Sequence, residues 1–87
     1  MVVVVLPRSL VDLFPGAARR TEMDAATVGE VIDRLDERWP GMRNRLCDAG
    51  PEIRAYINVF VDMDPAGLST PTPAGSTVRI IPAVAGG

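Results

Sequence analysis

The sequence predicts an α+β domain in which one amphipathic helix packs on a mixed sheet of four to five strands. Three observations predict it. The chain opens with a β-branched run, Val2-Val3-Val4-Val5-Leu6. Only one long stretch, Thr27 to Trp39, carries its apolar residues at helical spacing. Two strand-like runs follow it, Ile53 to Val61 and Thr77 to Pro82. At 87 residues the chain holds one domain. A domain this small buries only about 60% of its unfolded surface, which leaves little room for a deep cleft beside a core.

Val2 to Leu6 is apolar on both faces and stops at Pro7-Arg8, as expected of a central strand. Ser9 to Gly16 contains Leu10, Val11, Leu13 and Phe14 and ends in a Pro15-Gly16 turn signal, which predicts an ordered loop or short helical turn. Arg19 to Met23 alternates weakly and completes a hairpin with the first strand. Thr27 followed by Glu30 fits a reciprocal cap at the helix start. Val28, Val31, Ile32, Leu35 and Trp39 form the apolar face of that helix, and Pro40-Gly41 stops it. Gly29 inside it costs about 1 kcal/mol relative to alanine, a cost consistent with close packing on the sheet. Met42 to Asp48 continues as a short helix until Gly50-Pro51. In the strand Ile53 to Val61, parity directs Ile57, Val59 and Val61 one way and Tyr56, Asn58 and Phe60 the other. Asp62 to Ser76, with three prolines and two glycines, reads as loop with a very short strand near Leu68. In the last strand Val78 and Ile80 share one face, Arg79 and Ile81 the other. The first and last strands are the most apolar, so both belong at the centre, side by side. A hairpin, a crossover helix and a returning hairpin describe the β-grasp arrangement, here over residues 1–82, with residues 83–87 as a flexible tail.

Composition narrows the chemistry. The net charge is −2 with no basic run, a poor match for nucleic acid. All nine basic residues are arginine, so lysine chemistry is absent. With no histidine and a single cysteine, a Ser-His-Asp triad, a Cys-His pair and nearly every transition-metal site are excluded. Cys47 has only Arg43 and Arg45 as cationic sequence neighbours and reads as a buried thiol. One cysteine forms no internal disulfide, which suits a reducing cytoplasm. The opening apolar run is too short for a signal peptide or a membrane span. Asp33, Asp36 and Glu37 read as a solvated helix face rather than a metal site, Trp39 as core, and Arg19-Arg20 as too short for a nucleic-acid site.

The remaining feature is the ending. After Pro82 the chain reads Ala83-Val84-Ala85-Gly86-Gly87, small residues with almost no means of packing. Terminal glycines often mean only a frayed end. Yet glycine, without a Cβ, can thread a narrow passage. A carboxylate at Gly87 on such a tail can enter another protein's active site while the body stays outside.

Ile80-Ile81-Pro82-Ala83-Val84-Ala85-Gly86-Gly87 resembles the ending of the ubiquitin-like sulfur carriers of the thiamine, molybdopterin and cysteine pathways. It is most similar to the actinobacterial carriers of the thiocarboxylate route to cysteine. Thr27-Val28-Gly29-Glu30-Val31-Ile32 is similar to that group's helix start, and Ile57-Asn58-Val59-Phe60-Val61 to its middle strand. The chain departs from the family at Pro73-Ala74-Gly75-Ser76, where an acidic turn is usual, and in the proline-rich loop Asp62 to Thr72.

The resemblance implies a co-substrate rather than an enzyme. An ATP-consuming, E1-like adenylating enzyme would activate the Gly87 carboxylate, with Gly86 beside it. A sulfur donor would displace AMP to leave a thiocarboxylate. A sulfur-accepting synthase, pyridoxal-phosphate-dependent in the cysteine route, would take the sulfur, and a zinc peptidase would later free the product. The chain itself is expected to bind no cofactor and no metal, to contact no nucleic acid or membrane, and to be a monomer when free. Its partner face is expected at Tyr56, Phe60, Arg79 and Ile81, continuing through Pro82, Ala83, Val84 and Ala85. The bland alternative is that Ser9 to Gly16 or Asp62 to Ser76 folds over that face. Three other functions fit the same tail: a modifier conjugated through Gly87 to lysines of other proteins, the small subunit of a molybdopterin-synthase-like complex, and an interaction module with an inert tail.

Overall fold

A computed structural model describes residues 1–50 and 52–82. The tail residues 83–87, on which the Gly86 and Gly87 expectations fall, lie outside the described residues.

Strand β1 (Val2–Val5) leads into helix α1 (Arg8–Leu13), then β2 (Arg20–Met23), α2 (Val28–Arg38), α3 (Met42–Leu46), β3 (Ile57–Val61), β4 (Asp64–Pro65) and β5 (Thr77–Pro82). The sheet order is β2-β1-β5-β3-β4. β1 pairs antiparallel with β2 and parallel with β5, while β5 pairs antiparallel with β3. The two most apolar strands therefore adjoin, with β5 in the middle; Val2 and Val4 are buried under α2, while Val3 and Val5 are half-buried on the other face.

The α2 face predicted from periodicity is the face that packs: Val28, Val31, Ile32 and Leu35 are buried. They meet Val2, Val4, Met23, Val59, Val61, Val78 and Ile80 from one side of the sheet, with Leu6, Leu10, Met42 and Leu46 closing the core. Thr27 caps α2, its hydroxyl accepting from the Glu30 N–H at 3.2 Å. The return bond is displaced by one residue, since the Glu30 carboxylate accepts from the Ala26 N–H rather than that of Thr27. Gly41 stops the helix at φ +99°, a left-handed conformation that a side chain would strain. Asp36 then accepts from the N–H groups of Gly41 and Arg43, which seats the start of α3.

Three expectations are corrected. Strand β3 starts at Ile57, not Ile53. The preceding segment is held instead by α3: Arg54 donates its N–H to the Leu46 carbonyl, and its guanidinium binds the Asn44 carbonyl. The very short strand of the following loop lies at Asp64–Pro65, not near Leu68. It forms because Asp62 takes a left-handed conformation (φ 54°) that lets the chain reverse at once. Gly29 packs closely, but on the loop rather than the sheet. Its N–H donates to the Leu68 carbonyl at 2.9 Å, and an added Cβ would stand 3.2 Å from that oxygen.

Candidate functional site

The site is built where β5 ends. Antiparallel register sets Arg79 opposite Phe60 and Ile81 opposite Asn58, and it sets Pro82, the last described residue, opposite Ile57. On the other side, parallel register places Val5 against Arg79. Residues paired in register project to the same face. Arg20 (β2), Val5 (β1), Arg79 (β5), Phe60 (β3) and Pro65 (β4) thus form one row across all five strands.

This row lies on the face that α2 leaves uncovered. Arg79 and Arg20 are exposed, Ile81 is 45% exposed, and Phe60 and Val5 are half-buried. Neither candidate cover folds over Arg79 and Ile81, although Asp64–Pro65 of the second flanks Phe60 as the edge strand. Helix α1 turns Leu10 into the core and lays Val11 and Phe14 against it, with Phe14 beside Gly41. The Asp62–Ser76 loop runs along the start of α2, where the carbonyls of Leu68 and Thr70 accept from Gly29 and Val28 and the Thr72 N–H donates to Ala26. Phe60, Arg79 and Ile81 are therefore brought together as parity predicts. Tyr56 is 53% exposed, but it occupies the turn before β3, outside the ladder that aligns the others.

The sequence reading missed Val5 and Arg20 as members of this surface. In an unbroken valine run parity carries no signal, and Arg20 joins the row only through the register of β2. A shallow hollow of about 260 Å³ beside the root of the tail is lined by Val5, Pro7, Arg19, Arg79 and Ile81, among others. Elsewhere, burial pushes the Cys47 thiol up, Asp48 adds to the shift and Arg43 and Arg54 partly offset it, so the thiol form is favoured at neutral pH. Among the described residues no group of three or more His, Cys, Asp and Glu side chains is arranged to hold a metal. Nor is any of their helices long and apolar enough to cross a membrane.

A two-hairpin sheet grasping one long helix, with the last strand at its centre, defines a ubiquitin-like β-grasp protein. Comparison with known proteins narrows that class: residues 4–87 match the ThiS family, and the chain belongs to it. It is 31% identical over 78 residues to the sulfur carrier protein CysO of Mycobacterium tuberculosis, covering 83% of this chain and 84% of the relative. It is 36% identical over 70 residues to small archaeal modifier protein 3 of Haloferax volcanii, covering 74% and 73%. Its structure superposes on a chain of the Amycolatopsis orientalis BexX/CysO complex with a TM-score of 0.89 at 34% identity, covering both chains fully. The protein is thus a small carrier or modifier of ubiquitin-like fold, a class whose members are acted on by enzymes.

Proposed function

We infer that this protein is a sulfur carrier whose Gly87 carboxylate is adenylated and converted to a thiocarboxylate. One observation carries the reading: the family match extends through Gly87, five residues beyond the end of the central strand. In the first step the carboxylate attacks the α-phosphorus of ATP, giving an acyl-adenylate and pyrophosphate. In the second, a sulfur donor attacks the acyl carbon and AMP leaves with the bonding electron pair. The product holds a strong sulfur nucleophile on a protein instead of as free sulfide. This chain supplies no catalytic side chain and binds no cofactor; ATP belongs to the activating enzyme. Its part is to present Gly86 and Gly87 past Pro82 and to offer Phe60, Arg79 and Ile81 as the docking face, with Tyr56 at its margin and Ala83, Val84 and Ala85 as the slender lead. Likeness to CysO favours a biosynthetic receiver, in the cysteine route a pyridoxal-phosphate-dependent synthase with a zinc peptidase acting afterwards.

Incubation with ATP, an E1-like adenylating enzyme and sulfide, followed by intact-mass measurement, tests the reading. The expected result is a gain equal to exchanging one oxygen for sulfur, mapped to Gly87. No gain with adenylating enzymes of proven activity removes the proposal. A second reading, a protein modifier conjugated through Gly87, is favoured by the likeness to the archaeal modifier. Isopeptide adducts on lysines of other proteins in a cell lysate would select it. A stable complex with a larger catalytic subunit on size-exclusion chromatography would instead mark a molybdopterin-synthase-like small subunit.

A further inference from the structure

The arginines divide into two sets. Arg34, Arg38, Arg43 and Arg54 are engaged internally: Arg34 with the Asp24 carbonyl and Glu37, Arg38 with Thr21 and the Glu22 carbonyl, Arg43 with Asp33, and Arg54 with the Asn44 carbonyl. Arg45, exposed in the last turn of α3, has no ion pair or side-chain hydrogen bond among the described residues, and it stands on that helix rather than on the sheet. The other four, Arg8, Arg19, Arg20 and Arg79, are exposed and have no ion pair or side-chain hydrogen bond among the described residues.

All four gather at one end of the sheet. Arg20 and Arg79 flank Val5 in register. Arg19 lines the same hollow as Arg79 and Ile81, and its carbonyl accepts from the Leu6 N–H. Arg8 opens α1 three residues beyond Val5. The opposite end of the same strands is acidic and occupied: Asp24 faces the Met1 amine, and Asp62 accepts from the Thr77 N–H. A chain of net charge −2 thus gathers four unpaired arginines around Val5 and Arg79, at the end of the sheet from which the chain leaves β5. The nearest acidic side chains along the chain, Asp12 one turn on in α1 and Glu22 two residues on in β2, form no ion pair with them.

We propose that this pole is the electrostatic half of the docking face, and that it receives an acidic rim surrounding the entrance to the adenylating enzyme's active site. The proposal rests on the carrier reading above. Val5 and Ile81 supply apolar contact at the centre, and the four arginines form the charged border, an arrangement typical of transient protein interfaces. Opposite charge on the two surfaces steers the encounter and orients it, so the tail arrives facing the entrance. Guanidinium groups pair with carboxylates bidentately, which fixes register as well as attraction.

ATP–pyrophosphate exchange by an E1-like adenylating enzyme from the source genome provides the test, with KM and kcat measured for this chain as substrate. The expected result for the double variant Arg20→Glu/Arg79→Glu is a KM raised about tenfold or more, with kcat little changed. The wild-type KM should rise with salt, and that of the variant should not. Arg34→Glu reverses one charge at the opposite pole, half the change of the double variant, and should leave KM within about twofold, where Arg79→Glu alone should raise it. Thermal melting checks that each variant folds, and Arg20→Gln/Arg79→Gln replaces the reversal if it does not. Exchange of the wild-type chain with KM unmoved by either double variant overturns the docking pole and spares the carrier reading. No exchange of the wild-type chain by an enzyme active on another carrier overturns both. If KM is unmoved and the arginine variants instead lose binding to a single-stranded RNA oligonucleotide, the pole is a nucleic-acid surface and the proposal falls.

Discussion

The two faces of β5 make opposite use of consecutive residues. On one face Val78 is fully buried and Ile80 is 2% exposed, locked against α2 and the flanking strands. On the other, Arg79 is exposed and Ile81 is 45% exposed, with no helix over them. Ile80 and Ile81 are the same side chain one position apart, so their difference isolates what position contributes. Stability resides on the inner face; the exposed positions of the outer face, Arg79 and Ile81, can vary at little cost in folding, as the docking role proposed for them requires.

Removing Gly86 and Gly87 should give the largest effect and breaks the comparison at its functional limit. Thiocarboxylate formation should vanish by intact mass, while the melting temperature should hold, since the last buried core residue among those described is Ile80. Next comes the isoleucine pair. Ile80→Ala should cost about 2–5 kcal/mol in urea unfolding. Ile81→Ala should stay within about 0.5 kcal/mol, yet raise the KM for adenylation. Smaller again is Thr27→Ala, which removes the cap on the Glu30 N–H and should cost about 1 kcal/mol. Gly29→Ala at an exposed helix site would gain up to about 1 kcal/mol. Here the Leu68 carbonyl stands in the way, so denaturation should show no gain or a loss.

The pH dependence from Cys47 should be smallest. Its folded-state value is raised, chiefly by burial, so the folded protein holds the proton more tightly than the unfolded chain. That contribution is intact below the thiol's ordinary value of about 8.5 and is lost as pH rises through the raised value. Cys47→Ala should flatten the alkaline decline in stability. A thiol reagent at pH 7 should label Cys47 far faster in urea than in the native state.

Much of this was legible from local pattern. The α2 face followed from the spacing of Val28, Val31, Ile32 and Leu35, and the inner face of β5 from alternation. What escaped depends on partners distant in the chain. The start of β3 was misjudged because Ile53 and Arg54 have strand-like chemistry but bond to α3. Gly29 made sense only once the loop carbonyl of Leu68 was seen above it. Asp36, read as a solvated helix residue, also holds the N–H groups of Gly41 and Arg43. At the site, Phe60, Arg79 and Ile81 were found by parity. Val5 and Arg20 were not, since nothing in a valine run reveals which residue faces outward and nothing in Arg19-Arg20 reveals a register.

The parallel pairing of β1 with β5 also has a mechanical meaning. A pull on the tail is delivered through Pro82 into β5. Because β1 runs alongside in the same direction, tension between the tail and Met1 loads the Val3–Thr77, Val4–Val78 and Val5–Arg79 pairs in shear, all at once. Peeling would break such bonds one after another; shearing must break them together, and it is the unfolding rate under load that decides survival. The body can therefore act as a firm handle, transmitting tension from an enzyme that grips its end without yielding its own fold.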